Sequence, residues 1–267
     1  MDYLAHLLIK AMVDTLYITG MIIVVGFILG FLRDRSIANF QRSFGWKAVA
    51  ITAIIGVPIH EISHALFCFI FGHKIVKVVL IQKRDENGVL GYVNHSYNPN
   101  SIYQQIGNFF IGIAPILGGI TSIIALMRII IPKAYSEFIT ISMNNLDITK
   151  LDGASINGIL NSYIKLITTI FSINNFGSPY FIVFLILAIC ISSHISLSSA
   201  DIKGASKGLL IIFIVMVVIN ALGVTRFVMA EGILKYNIVL IGFLIVSLIF
   251  SSITYLISLL LSLIKAS

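Results

Sequence analysis

Two histidines four residues apart enclose a glutamate in the run His60-Glu61-Ile62-Ser63-His64. On a helix, positions i and i+4 share a face, so both imidazoles can offer a nitrogen to one metal ion. The pattern is that of a zinc site, His-Glu-x-x-His. Zinc lowers the pKa of water towards about 7. Glu61, next to the first histidine, is placed to take a proton from that water as general base and return it to a leaving amine. The setting sharpens the reading. Residues 48–71 are otherwise apolar, apart from Lys47 just before them and the weakly acidic Cys68. A charge at the centre of such a span costs about 2.5–3.5 kcal/mol on insertion scales, so three ionisable groups there need a partner. A metal satisfies all three. The competing structural use is a polar contact between helices.

Two histidines leave a catalytic zinc short of one protein ligand. Asp201 is the first candidate, at the end of Ser192-Ser193-His194-Ile195-Ser196-Leu197-Ser198-Ser199-Ala200-Asp201. If that stretch is helical, His194, Ser198 and Asp201 share one polar face at i, i+4 and i+7. His194 and Asp201 then stand about 10 Å apart along the axis, too far to hold one ion without a kink. Asp152, in Leu151-Asp152-Gly153, and His194 itself are the alternatives. A charge at a helix end, facing Lys203 or Lys207, is the structural reading of Asp201. His6 lies near the N-terminus. His73 and His95 flank a predicted hairpin and read as solvated or hydrogen-bonded side chains rather than ligands.

The elements that must position these groups belong to a membrane protein. The 267 residues are 58% hydrophobic and 11% charged, with mean hydropathy +1.02. A soluble domain carries about 25% charged residues. The net charge of +7 is thinly spread. Without a basic stripe interleaved with aromatics it speaks against nucleic acid and for anionic lipid headgroups. Cys68 and Cys190 both lie in apolar runs and read as small buried hydrophobes. A spanning helix needs roughly 20 apolar residues. Six candidates meet that: 16–32, 48–71, 109–131, 180–199, 209–224 and 237–264. The first reads as a retained helix rather than a cleaved leader, since no basic region precedes it. Lys and Arg divide evenly between alternating loops, so orientation is not readable.

Between the second and third spans the pattern changes. Val76 to Ile81 and Val89 to Val93 are β-prone, and Asp85-Glu86-Asn87-Gly88 between them is a hairpin signal. Residues 153–171 carry apolar positions at helical spacing with Asn161, Ser162 and Lys165 off that face, which predicts an interfacial amphipathic helix or, alternatively, a seventh short span. The expected fold is an all-α membrane protein, one polytopic domain over residues 1–267. It has about six transmembrane helices and a short β-hairpin at the membrane surface. Residues 48–131 hold the motif helix, hairpin and following helix, and residues 180–204 a helix carrying the third ligand.

The chain resembles the site-2 protease family of intramembrane zinc metalloproteases. The carrying residues are Gly56-Val57-Pro58-Ile59-His60-Glu61-Ile62-Ser63-His64-Ala65-Leu66, then Phe71-Gly72-His73-Lys74. Gly91-Tyr92-Val93 is similar to the Gly-Tyr-Val of that family's β-region, and Ala114-Pro115 with Gly118-Gly119 to its next span. The likeness covers residues 48–125 well and the rest loosely. It implies zinc on His60 and His64, Glu61 as base, and an Asp followed by Gly as third ligand. Asp152-Gly153 matches that local motif, whereas Asp201 matches its membrane context. Ser63 replaces the family's usual Gly. The resemblance further implies hydrolysis of a peptide bond in or beside a transmembrane segment of a membrane-protein or peptide substrate within the lipid bilayer; the cell membrane is the default location for such a chain.

Three other readings use the same residues. A prenyl-protease-type zinc peptidase would take a downstream Glu as ligand, and only Glu86, Glu137 and Glu231 follow the motif. A catalytically inactive relative could bind and retain a membrane partner, though it would have no need of Glu61. A transporter with zinc as cargo would want polar groups in several spans, and outside the motif and Asp201 regions the spans are nearly bare of charge.

Overall fold

The computed structural model describes residues 2–83, 89–145, 153–223 and 230–266. It is an all-α membrane protein with one small sheet. The helices are α1 (Asp2–Phe44), α2 (Trp46–Ile70), α3 (Ile102–Ile130), α4 (Pro132–Asn145), α5 (Gly153–Ile170), α6 (Ile173–Phe176), α7 (Pro179–Ser192), α8 (Ser199–Ala221) and α9 (Ala230–Ala266). Strands β1 (Lys74–Val79) and β2 (Tyr92–Ser96) pair antiparallel, with Val78 opposite Val93 and Val79 opposite Tyr92. Among the described residues six helical segments are long and apolar enough to cross a membrane: Tyr3–Phe44, Trp46–Ile70, Ile102–Ile130, Gly153–Phe176, Ser199–Ala221 and Leu240–Lys265.

The number matches the sequence expectation, but the assignment differs in four places. Helix α1 does not stop at Arg33-Asp34-Arg35 and continues to Phe44. At 1.5 Å per residue its 43 residues reach about 65 Å, twice the hydrocarbon core, so the charged turn lies on a helix that outlasts the span. The segment expected to lie in the interface is part of a helix long enough to cross, with Ile159, Tyr163, Leu166 and Ile170 buried. The span expected over 180–199 is the 14-residue α7, about 21 Å long and too short to cross alone. The second strand begins at Tyr92 rather than Val89, although Gln82 N–H still reaches Leu90 O at 2.7 Å beyond the strand ends. The expected Asn-Gly turn lies outside the described residues.

Helix α3 is the axis of the bundle. Ile113, Ile116, Ile120, Ile123 and Met127 are buried in the main core together with Leu29 of α1, Phe184 of α7 and Phe250 of α9. Helices α2, α7 and α8 pack around α3, and α1 lies along α9. Apolar burial does not drive helices together inside lipid, so close backbone approach and interhelical hydrogen bonds carry more of the association. The α3–α8 contact is of that kind. A Cβ on Gly112 would stand 2.6 Å from Asp201 O and 2.7 Å from Ala205 Cβ. Only a residue without Cβ lets α3 pass this close to the first turn of α8.

Candidate metal centre

Helix α2 is continuous through Pro58, so His60 and His64 project from one face as their spacing requires. Their Nε2 atoms stand 3.2 Å apart. Each ring is oriented through its other nitrogen. His60 Nδ1 lies 3.0 Å from His194 O, and His64 Nδ1 lies 2.8 Å from Ile111 O. A carbonyl only accepts, so both Nδ1 atoms donate and both Nε2 atoms present lone pairs.

The carboxylate of Asp201 completes the cluster. Its Oδ1 is 3.2 Å from His64 Nε2, and its Oδ2 is 3.8 Å from His60 Nε2. The three side chains are nearly buried, with exposures of 15%, 10% and 11%. Two imidazole lone pairs and a carboxylate converge here, and none of the three brings a donor to the centre in these tautomers. Tetrahedral zinc with ligands at about 2.0–2.1 Å asks for ligand–ligand distances of about 3.3 Å. The two 3.2 Å separations, between the Nε2 atoms and from His64 Nε2 to Asp201 Oδ1, fit that demand, and His60 Nε2 stands 3.8 Å from the other carboxylate oxygen. The residues present could therefore hold such an ion, and the backbone carbonyls behind the imidazoles are the outer shell such sites use.

Asp201 reaches the cluster because the chain breaks where one helix was expected. Helix α7 ends at Ser192, and α8 starts afresh with Ser198 as its cap. Ser198 Oγ accepts from Asp201 N–H at 3.1 Å, while Asp201 Oδ2 accepts from Ser198 N–H at 2.7 Å. This reciprocal capping box fixes the carboxylate at the first turn of α8. The expected shared face of His194, Ser198 and Asp201 therefore does not form. Irregular backbone is tolerated at membrane depth only when protein buries it or a cavity needs it. Here Ser193, His194 and Ser196 are buried, and the freed His194 carbonyl holds His60.

His194 is thus not brought to the cluster as a ligand. Its Nε2 lies 3.2 Å from Thr52 Oγ1, whose own proton goes to Val49 O, so His194 Nε2–H is the donor. Asp152 lies outside the described residues. Of the glutamates in the prenyl-protease reading, Glu137 is held by Lys165 at 2.7 Å. Glu86 and the side chain of Glu231 lie outside the described residues.

Glu61 is buried beside this cluster at the wall of a cavity of about 480 Å³. The polypeptide from Val89 to His95, including β2, lines it as well. Arg33 and Asn108 also line it. Arg33 Nε is buried without a hydrogen-bond partner, although Arg33 Nη1 meets Asp34 Oδ1 at 3.0 Å. The sequence reading missed Arg33 because it stood at the supposed end of a span. The helix start at α8 did leave a signal, Ser198-Ser199-Ala200-Asp201, which has the S-x-x-[DE] form of a capping box. No family model, curated protein or solved structure was found to match the chain.

Proposed function

We propose that this protein is an intramembrane zinc metalloprotease, resembling the site-2 protease family, that cleaves peptide bonds in or next to transmembrane segments of membrane-protein substrates. The cell membrane is its proposed location. The observation that carries the reading is the convergence of His60 Nε2, His64 Nε2 and the Asp201 carboxylate beside Glu61, in a cavity within an apolar helical bundle. Zinc, when bound, supplies Lewis acidity that polarises a carbonyl and acidifies water.

The remaining work falls to the chain itself. Glu61 takes a proton from the attacking water as its oxygen bonds to the scissile carbonyl carbon. When the C–N bond breaks, Glu61 returns that proton to the leaving nitrogen. His60, Glu61, His64 and Asp201 are each largely buried, which strengthens the electrostatic contacts among them. A helical substrate must unwind before its carbonyl reaches Glu61, and β2 offers backbone groups to an extended segment by strand addition. Gly91 brings that backbone close, since a Cβ there would stand 2.9 Å from Glu61 Cγ.

The test is zinc content together with cleavage of a transmembrane peptide in detergent, for the wild type and Glu61→Gln. Glu61→Gln should retain zinc and lose about 10²–10⁴-fold in cleavage rate. Wild-type protein that takes up no zinc would defeat the reading. It would leave His60, His64 and Asp201 as a polar contact between helices, in a chain that binds and retains a membrane partner.

A further inference from the structure

We infer that the chain carries a second transition-metal site, formed by Cys68, His73 and His95, that ties the β-hairpin to the end of the motif helix. Zinc is the ion these ligands suit: one thiolate and two imidazoles are borderline-soft donors. The ligand atoms of the three residues lie within 4.8 Å of one another.

The sequence assigned these residues to separate jobs, and the local fold joins them. Helix α2 ends in a Schellman motif. His73 N–H bonds to Cys68 O at 2.8 Å and Gly72 N–H to Phe69 O at 3.1 Å, with Gly72 at φ 67°. This turn folds the chain back by one helical turn and sets His73 beside Cys68. His95 comes from β2, where it stands opposite Ile75.

His73 is oriented like a ligand. Its Nε2–H donates to Gln104 O at 2.8 Å, which leaves the Nδ1 lone pair free. That atom faces His95 Nδ1 at 3.0 Å, near the 3.3 Å or so that two nitrogens take on tetrahedral zinc. The ring stacks on Tyr97 at 5.1 Å, and Gln104 Nε2 donates to Gly72 O at 2.8 Å, so the ring's support is itself tied to the turn. Cys68 is fully buried, as its apolar run predicts, and His73 is 5% exposed and hydrogen-bonded rather than solvated. Moving the Cys68 sulfur to about 3.6 Å from each nitrogen completes a three-ligand set with one open position. Cys68 follows His64 by four residues on the same helix, so occupancy of this site sets where β2 stands against the cavity.

The site is independent of the protease reading, because the His60–His64–Asp201 cluster holds no sulfur. Full-length protein in detergent, stripped of metal, is titrated with Co²⁺. The wild type should take up two equivalents, one of which gives a near-ultraviolet thiolate-to-cobalt charge-transfer band. Cys68→Ser should abolish the band and leave one equivalent. Cys190→Ser should leave both unchanged. His60→Ala/His64→Ala should keep the band at full amplitude and lose the other equivalent. A wild type without the band, or a band that follows Cys190, overturns the inference. A band in a wild type that binds a single equivalent upholds it and defeats the His60–His64–Asp201 site instead.

Discussion

Asp201 has two tasks that can be separated by substitution. Its charge faces His64 Nε2 at 3.2 Å and His60 Nε2 at 3.8 Å, and its Oδ2 caps α8 by accepting from Ser198 N–H. Asp201→Asn keeps an oxygen for the cap and removes the charge. Loss of a residue behind a metal ligand typically weakens affinity about 10–100-fold, so loss of an anionic direct ligand should exceed that range. We expect the zinc Kd of Asp201→Asn to rise at least about 100-fold, or about 2.7 kcal/mol. Ser198→Ala does the reverse. It keeps the carboxylate and removes the hydroxyl that accepts from Asp201 N–H, at about 1 kcal/mol of stability. Its zinc Kd should rise less than about 10-fold, since the ligand remains and only its support is loosened. Competition against a zinc chelator in a Cys68→Ser background reads one site alone, and detergent unfolding reads stability. The reasoning is refuted if Asp201→Asn binds zinc as tightly as its parent. It is refuted equally if Ser198→Ala loses zinc to the same extent, because the helix start and not the charge would then be decisive.

Three further perturbations address the surroundings. Gly112→Ala places a Cβ 2.6 Å from Asp201 O, so α3 and α8 must separate. It should cost about 1–3 kcal/mol in detergent unfolding and weaken zinc binding, and unchanged stability would show that the helices are not in close contact. Replacing residues 89–93 with a Gly-rich sequence should abolish peptide cleavage while the His60–His64–Asp201 site still takes up zinc; surviving cleavage would remove β2 from substrate binding. Arg33→Gln should lower kcat/KM about 10–100-fold with zinc content unchanged, the value of a hydrogen bond from a charged donor to substrate. An unaltered kcat/KM would assign the buried Arg33 Nε to structure alone.

The parts of this protein legible in the sequence are those set by short-range geometry. The His60–His64 pair follows from a helical repeat of 3.6 residues, and Gly72 marks the end of α2 because a Schellman turn needs a positive φ. The β-prone runs around residues 76–93 yielded a hairpin displaced at both strands, to Lys74–Val79 and Tyr92–Ser96, because pairing between the strands rather than local propensity fixes the register. Membrane character followed from composition, and the number of long apolar helices from hydropathy. Which apolar runs they are did not. Hydropathy read 180–199 as a span and 153–171 as interfacial, because it registers how apolar a run is and not where its helix ends.

Tertiary structure decided the rest. Whether residues 192–204 form one helix or two depends on whether buried irregular backbone finds partners, and those partners lie elsewhere in the chain. His60 supplies one by donating to His194 O, and Thr52 anchors the same residue's side chain by accepting from the His194 ring. With the break in place, the cap at Ser198 turns Asp201 onto two histidines far earlier in the sequence. Cys68, His73 and His95 came together in the same way, through a turn and a strand pairing. The sequence by itself determined the residues on one helix face, because their spacing is local. The third dimension determined which distant groups meet that face, because their meeting depends on where the chain breaks and how closely its helices pass.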